Sequence, residues 1–261
     1  MVLSRRKYRE TWERWLISYS RRAYRELKKT FKVWTDNIAW DLLTESNYRA
    51  IIAISVDTNP MIETYVEIYT QIGLVHGARV GRGINRQLKQ YTYDAFEPYF
   101  KSGVTRYLTV YGGTRIRSVE DTYVKEITNL LATRLDDGLT IDQAAREVKK
   151  IVDKPSFYKW QATRIARTES TAAANYAATQ VSEIVGFVME KEWISALDSR
   201  TRGDHRAANG QRVPQRERFV IDGEQLRFPG DPAGSAGNVI NCRCTVAIVP
   251  ARDQSGNLIP R

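Results

Sequence analysis

Residues 157–194 read FYKWQATRIARTESTAAANYAATQVSEIVGFVMEKEWI. Ala162, Ile165, Ala166, Ala173, Ala177 and Val181 recur at helical spacing and predict a helix over 157–185. Its apolar positions are small, so another helix can approach closely. After Gly186 the pattern changes. Phe187-Val188-Met189-Glu190-Lys191-Glu192-Trp193-Ile194 alternates as a strand does. Turn formers then follow at Asn209-Gly210, Asp222-Gly223 and Pro229-Gly230-Asp231-Pro232, and Thr245–Val249 is a short apolar strand. A long helix giving way to short strands and turns is an α+β arrangement: a mainly helical N-terminal body followed by a small, turn-rich, β-containing C-terminal module.

Upstream, the chain reads as helices. Tyr8, Thr11, Trp12, Trp15, Leu16, Tyr19 and Ala23 share one face of a helix over 1–32, with Arg and Lys on the others. Helix is expected to continue over 35–53, with Trp34, Ile38, Leu42 and Leu43 as apolar positions. Asp57-Thr58-Asn59-Pro60 breaks it, and Asn59-Pro60 starts another helix running to about Gly77. Gly73, Gly77, Gly81 and Gly83 loosen the pattern there. Arg79, Arg82 and Arg86 beside them read as a helix end or turn, since the spacing fits no phosphate-binding fingerprint. Residues 91–111 are aromatic-rich and receive no firm assignment; Gly112-Gly113 closes them. A helix is predicted over 119–135. After Asp137-Gly138, Thr140 and Gln143 form a capping box for a second helix that Pro155 stops. Two helices joined by a short turn are a common packing unit, and acidic Asp142 opens the second, so DNA reading is not inferred from them.

The chain has 261 residues, 42% hydrophobic and 27% charged, enough for one large or two modest cores. The expected organisation is a helical body over 1–118 with a basic first helix, a helical segment over 119–185, an α+β module over 186–250, and a tail over 251–261. No apolar run reaches the roughly 20 residues of a membrane span. The basic N-terminus lacks the apolar stretch of a secretory signal. The formal net charge is +10. Residues 1–29 hold ten basic and three acidic side chains. Arg5, Arg6, Lys7, Arg9, Arg14, Arg21, Arg22 and Arg25 are therefore the candidates for contact with DNA or an acidic partner, on a helix whose other face packs on its own protein. The two cysteines, Cys242 and Cys244, are one residue apart, poor spacing for a disulfide with each other.

Three pieces occur in order: Arg164-Ile165-Ala166-Arg167-Thr168-Glu169; then Trp193 leading into Asp198-Ser199-Arg200-Thr201-Arg202-Gly203-Asp204-His205 and Asn209-Gly210; then Phe228-Pro229-Gly230-Asp231 and Asn241-Cys242-Arg243-Cys244. The ordered set resembles the phage Mu F-like minor head proteins, also called phage head morphogenesis proteins, over roughly 140–249. Met1–Val119 carries no motif of that family. The resemblance implies a minor structural protein of a tailed-phage head, bound to the portal inside the capsid and contributing to head assembly and to DNA packaging or ejection. It implies the portal protein as primary partner, with major capsid or scaffolding protein as a further one. Double-stranded DNA is a further expected partner through the basic N-terminal residues and exposed arginines, and no enzymatic activity is expected. It places the chain in the virion, near the portal, after assembly in the host cytoplasm. No further domain is expected after Val249. A DNA-binding assembly or ejection factor is the alternative; a thiol hydrolase or transferase ranks below it.

Two readings of the motif residues remain open. In the first, Arg200, Arg202 and Arg243 pair with Asp198, Asp204 and Asp231 and hold long loops on a small core. Arg167 and Glu169 are likewise read as a structural salt bridge. In the second, His205, Cys242 and Cys244 bind zinc, with Asp198 or Asp204 as fourth ligand. The expected cofactor is accordingly none, or zinc. The usual pair of Cys-x-x-Cys knuckles is missing, and Thr201 and Arg202 stand where some relatives carry cysteines. A thiol nucleophile with His205 as base is the least favoured use of the same residues. His76, the other histidine, matches no motif.

Overall fold

The computed structural model describes residues 4–88 and 92–261. The expected helix start at Met1 and the first position of the 91–111 segment fall outside them.

The first helix, α1 (Arg5–Asn37), is capped by the Ser4 hydroxyl, which accepts from the Lys7 amide. Its aromatic stripe is core: Trp12, Leu16, Tyr19, Ala23, Leu27, Phe31 and Trp34 are all buried. Helix does not continue over 35–53 as expected. The chain leaves α1 at Ile38 in an extended conformation and makes a single 3-10 turn at Trp40–Leu42. Thr44 and Asn47 then bond each other through side chain and backbone, closing a turn that competes with helix. The short α2 (Tyr48–Ser55) follows.

The next helix, α3 (Asn59–Leu88), runs straight through the glycines that were expected to end it. Tertiary packing explains this. A Cβ on Gly73 would lie 2.1 Å from the Phe100 ring and one on Gly77 2.3 Å from the Phe96 ring. Gly73 and Gly77 are the surface on which α4 (Tyr93–Tyr111) lies. Arg79 is thus mid-helix, its guanidinium 4.9 Å from the Trp15 ring centre. The aromatic-rich segment without a sequence assignment is α4 itself. Gly112 is at once its C-cap and the N-cap of α5 (Gly113–Asp136). The capping box of Thr140 and Gln143 is present at the start of α6 (Ile141–Val152). Pro155 does not merely stop α6. It is the first residue of α7 (Pro155–Glu183), where its missing N–H costs nothing.

Helix α7 is central. It packs against α1, α3, α6 and the last strand. Its alanine run lets these neighbours close on several sides at once, so every residue over 168–179 is buried, polar ones included. Beyond it, β1 (Met189–Ile194) is the middle of a three-stranded antiparallel sheet, between β2 (Arg212–Pro214) and β5 (Thr245–Pro250). Trp193 pairs with Val246 and Glu192 with Arg212 and Ala247. A separate hairpin, β3 (Phe219–Ile221) with β4 (Glu224–Leu226), turns at Asp222-Gly223, both at positive φ as a two-residue hairpin loop requires. Two short helices, α8 (Gly203–Ala207) and α9 (Ala236–Val239), complete the α+β module. The buried apolar residues form one cluster from Trp12 to Val246. No helix among the described residues is long and apolar enough to cross a membrane.

Candidate functional site: a buried thiol and imidazole cluster beneath an arginine groove

The Asn241–Cys244 segment is seated by polar groups of α7. Asn241 adopts a left-handed backbone (φ 58°), which Asn tolerates better than most residues. Its amide donates to Thr168 Oγ1 at 3.0 Å, and its Oδ1 accepts from Arg167 at 3.2 Å. Thr171 Oγ1 donates to the Cys242 carbonyl at 2.7 Å. Asn175 does most: its Nδ2 donates to the carbonyls of Pro229 and Cys244, and its Oδ1 accepts from Thr245 Oγ1 and the Val246 amide. One buried amide therefore fixes both the Pro229-Gly230 turn and the start of β5. Gly230 makes this approach possible. Its φ is +83°, and a Cβ there would lie 3.2 Å from the Ala172 amide nitrogen.

Arg167 and Glu169 do not pair with each other. Two positions apart on a helix, they point to different sides. Arg167 turns toward Asn241, whereas Glu169 is buried and accepts from Tyr69 Oη at 2.9 Å, with Arg115 Nη1 3.1 Å away. The Arg-Thr-Glu motif thus joins two regions: its first two members hold the Cys-Arg-Cys turn, and its third ties α7 to α3 and α5.

The arginines divide similarly. Arg243 clasps the Asp198 carboxylate with both terminal nitrogens, and Arg200 approaches it at 3.6 Å. Thr201 Oγ1 and the Arg200 amide also donate to it. The Arg243 guanidinium, then these donors, hold the Asp198 carboxyl well below the usual carboxylate range. Leu197, at φ 58°, turns the chain so that Asp198 reaches this position. Contrary to expectation, Arg202 pairs with no carboxylate among the described residues; it donates to the Ile240 carbonyl at 2.6 Å. The partner of Asp231 is Arg227, through Nε at 2.9 Å and Nη2 at 2.5 Å. Asp204 is exposed and in no ion pair among the described residues.

Under Arg243 lie the three soft donors. His205 on α8, Cys242 and Cys244 are each 2% exposed. His205 Nδ1 is 3.6 Å from Cys242 Sγ and 3.5 Å from Cys244 Sγ. The far ring nitrogen, Nε2, is 3.2 Å from Asn238 Oδ1. Trp193 meets the imidazole edge-on, centroids 5.4 Å apart. Ser195 Oγ donates to the His205 carbonyl, and Asn209 Oδ1 accepts from the Ser195 amide at 3.0 Å, so Trp193, Ser195, His205 and Asn209 form one frame. The thiols share one site: hydrogen bonding from Cys242, supported by His205, pulls Cys244 down, while the hydrogen bond with Cys244, then burial, pushes Cys242 up. Asp198 is not a fourth donor. Its oxygens are taken by Arg243, Thr201 and Arg200, and the group of convergent donors among the described residues is His205, Cys242 and Cys244 alone. Asp204 stands outside that group as well.

Above Arg243 a groove of about 690 Å³ opens between α1, α7 and the loop after β1. Its floor includes Leu16, Ile17 and Ala166; Arg21, Arg25, Lys159 and Arg200 stand on its rim. Cationic side chains lining it outnumber carboxylates seven to two, so its potential is positive. Burial, then the charges of Arg200 and Arg243, disfavours the charged form of Arg167 at its base.

Of the eight basic residues singled out on α1, Arg21 and Arg25 line this groove, and Arg6, Lys7 and Arg14 are exposed. Arg22 is half-buried. Arg5 and Arg9 are turned inward. Arg5 pairs with the buried Glu192, and Arg9 Nε donates to the Ser195 carbonyl at 2.7 Å. Tyr8 Oη and Trp12 Nε1 likewise bond the carbonyls of Val246 and Arg243. The start of α1 is thus bound to the C-terminal module rather than extended as a free arm. Arg115, Asn175 and Asn238 were not foreseen. Asn175 alone had a signal, as a lone amide within an alanine run.

Residues 125–247 match the model of the family described as Phage Mu protein F like protein. The chain is 26% identical over 237 residues to minor head protein GP7 of Bacillus phage SPP1, covering 87% of this chain and 69% of that one. It is 24% identical over 262 residues to a protein of Enterococcus faecalis (strain ATCC 700802 / V583) named NAD(+)--arginine ADP-ribosyltransferase EFV, covering 94% of this chain. The chain spans 52% of that protein's length. No solved structure matches.

Proposed function

From the premise that the chain belongs, over residues 125–247, to the Phage Mu protein F like family, we propose that it is a minor structural protein of a tailed-phage head, bound to the portal inside the capsid. The observation that carries this is the use made of the motif. Arg167, Thr168, Asn241, Arg243 and Asp198 bond one another or the backbone around the closing turn and build a scaffold, with the cationic groove as its outer surface. The groove has an apolar floor and a basic rim, complementary to an acidic portal segment carrying aliphatic side chains. In this reading the protein sits in the virion, having joined the head in the host cytoplasm, and contributes to assembly and to DNA packaging or ejection.

The test is co-purification from assembled heads. The native chain is expected to travel with the portal protein in a fixed ratio. A variant carrying Arg21→Glu, Arg25→Glu and Lys159→Glu should fold and lose that association. Retention of the association by the variant would remove the groove from the proposal, and absence of the native chain from portal-containing heads would overturn the portal role.

The second reading, direct DNA contact, is favoured by the exposed Arg6, Lys7 and Arg14 at the start of α1. Such binding should be indifferent to sequence and fall steeply with salt. Arg6→Glu with Lys7→Glu and Arg14→Glu would abolish it while leaving portal association intact. Transferase activity is not carried over from the Enterococcus relative, of which the chain spans about half. The buried thiols also give a substrate no approach.

A further inference from the structure

We propose that His205 Nδ1, Cys242 Sγ and Cys244 Sγ together bind one zinc ion. The proposal stands on geometry and is independent of the head-protein reading.

The first argument is spacing. A tetrahedral zinc with Zn–S of about 2.3 Å and Zn–N of about 2.0–2.1 Å sets its sulfur and nitrogen ligands about 3.5–3.6 Å apart. The two sulfurs lie 3.6 and 3.5 Å from the imidazole nitrogen, and all three donor atoms fall within 4.8 Å of one another.

The second is the imidazole tautomer. Asn238 Nδ2 donates to the Ile221 carbonyl at 3.5 Å, which turns its Oδ1 to His205. That oxygen can only accept, so the imidazole proton resides on Nε2 and the Nδ1 lone pair faces the sulfurs. Both sulfurs converge on that one lone pair. An ion shared by all three uses every donor. An outer carbonyl on the far nitrogen is also the arrangement that orients metal-bound histidines.

The third is enclosure. All three side chains are buried and Trp193 covers the ring, so a bound ion would be held as part of the core. No fourth His, Cys, Asp or Glu among the described residues joins the group, which leaves one coordination position to a small exogenous ligand such as water. The ion would tie α8 to the start of β5 across 37 residues of chain. Its binding would therefore appear as stability of the C-terminal module.

The experiment uses the full chain, purified without chelator from zinc-supplemented medium. Elemental analysis is expected to give one zinc per chain, and X-ray absorption two sulfur neighbours and one imidazole. Asn238→Ala should weaken zinc binding by about 10- to 100-fold, because only the outer partner of the imidazole is lost. Cys244→Ser should lose the metal. Because that substitution also alters a core side chain, the wild-type chain carries a direct reading as well. Loaded with cobalt(II), it should show thiolate-to-metal charge transfer and the intense visible bands of a tetrahedral ion. A folded wild-type chain that takes up neither zinc nor cobalt, or that holds only copper, overturns the proposal and leaves an S–H···N cluster in its place.

Discussion

Asn175 is the residue on which the C-terminal module most depends. Its side chain makes four hydrogen bonds, all to groups of the 229–246 region. Asn175→Ala would leave four buried groups without partners, and each such loss costs about 1–3 kcal/mol when water cannot enter. We expect a loss of at least about 3 kcal/mol, read from the urea midpoint. Asn175→Asp should be similarly harmful, because two of the four partners are carbonyls. His76 gives a prediction of a different kind. Burial, then the charge of Arg79, pushes its pKa from about 6.5 down to about 3. It lies among Trp12, Trp15 and Tyr19. Between those two pH values the unfolded chain binds a proton that the folded chain refuses. Its contribution to stability is full above pH 6.5 and is lost as pH falls from about 6.5 toward about 3. Stability measured over that range should decline less steeply in His76→Gln than in the native chain.

At the scale of elements, the contact between α3 and α4 separates intrinsic preference from packing. Alanine is the better helix former by about 1 kcal/mol. Nevertheless Gly77→Ala should destabilise by about 1–3 kcal/mol, because its methyl would enter the space of the Phe96 ring. A thermal shift upward would show that the two helices can separate at no cost. The same contact explains what the sequence hid. Four glycines in a row of helical turns look like an ending when their partner surface is unknown, and the aromatic-rich 93–111 segment lacks a clean period because its rings meet several neighbours. The elements with local signals were legible: the capping box of α6, the turn at Asp222-Gly223 and the strand β1, although β1 is buried on both faces rather than alternating. So was the convergence of His205 with the cysteines. The inward turn of Arg5 and Arg9 was not, since nothing within α1 distinguishes an arginine with a buried partner from one facing water.

At the scale of the whole molecule, α1 and α3 enclose α7 and the buried cluster is continuous. Tyr8 and Trp12 are anchored to the carbonyls of Val246 and Arg243. We expect the chain to unfold as one cooperative unit, with tryptophan fluorescence and far-ultraviolet circular dichroism giving coincident transitions. Two resolved transitions would mean that the helical body and the α+β module are energetically separate despite these contacts. The family match begins at residue 125, yet the residues preceding it supply one wall of the groove and part of the support under the Arg243 turn.

The bonds from Tyr8 and Trp12 also bear on the order in which the protein can be made. They join groups 238 and 231 residues apart in sequence. The first helix therefore leaves the ribosome long before its partners exist. Until residues 243–246 have been synthesised, the aromatic stripe of α1 and the Asn175 face of α7 lack the strand that completes them. Contacts of such long range make folding slow and leave apolar surface open meanwhile. A nascent chain stalled before residue 243 should be readily cleaved by protease along α1 and α7, and resistance should be gained abruptly once the final strand has been added.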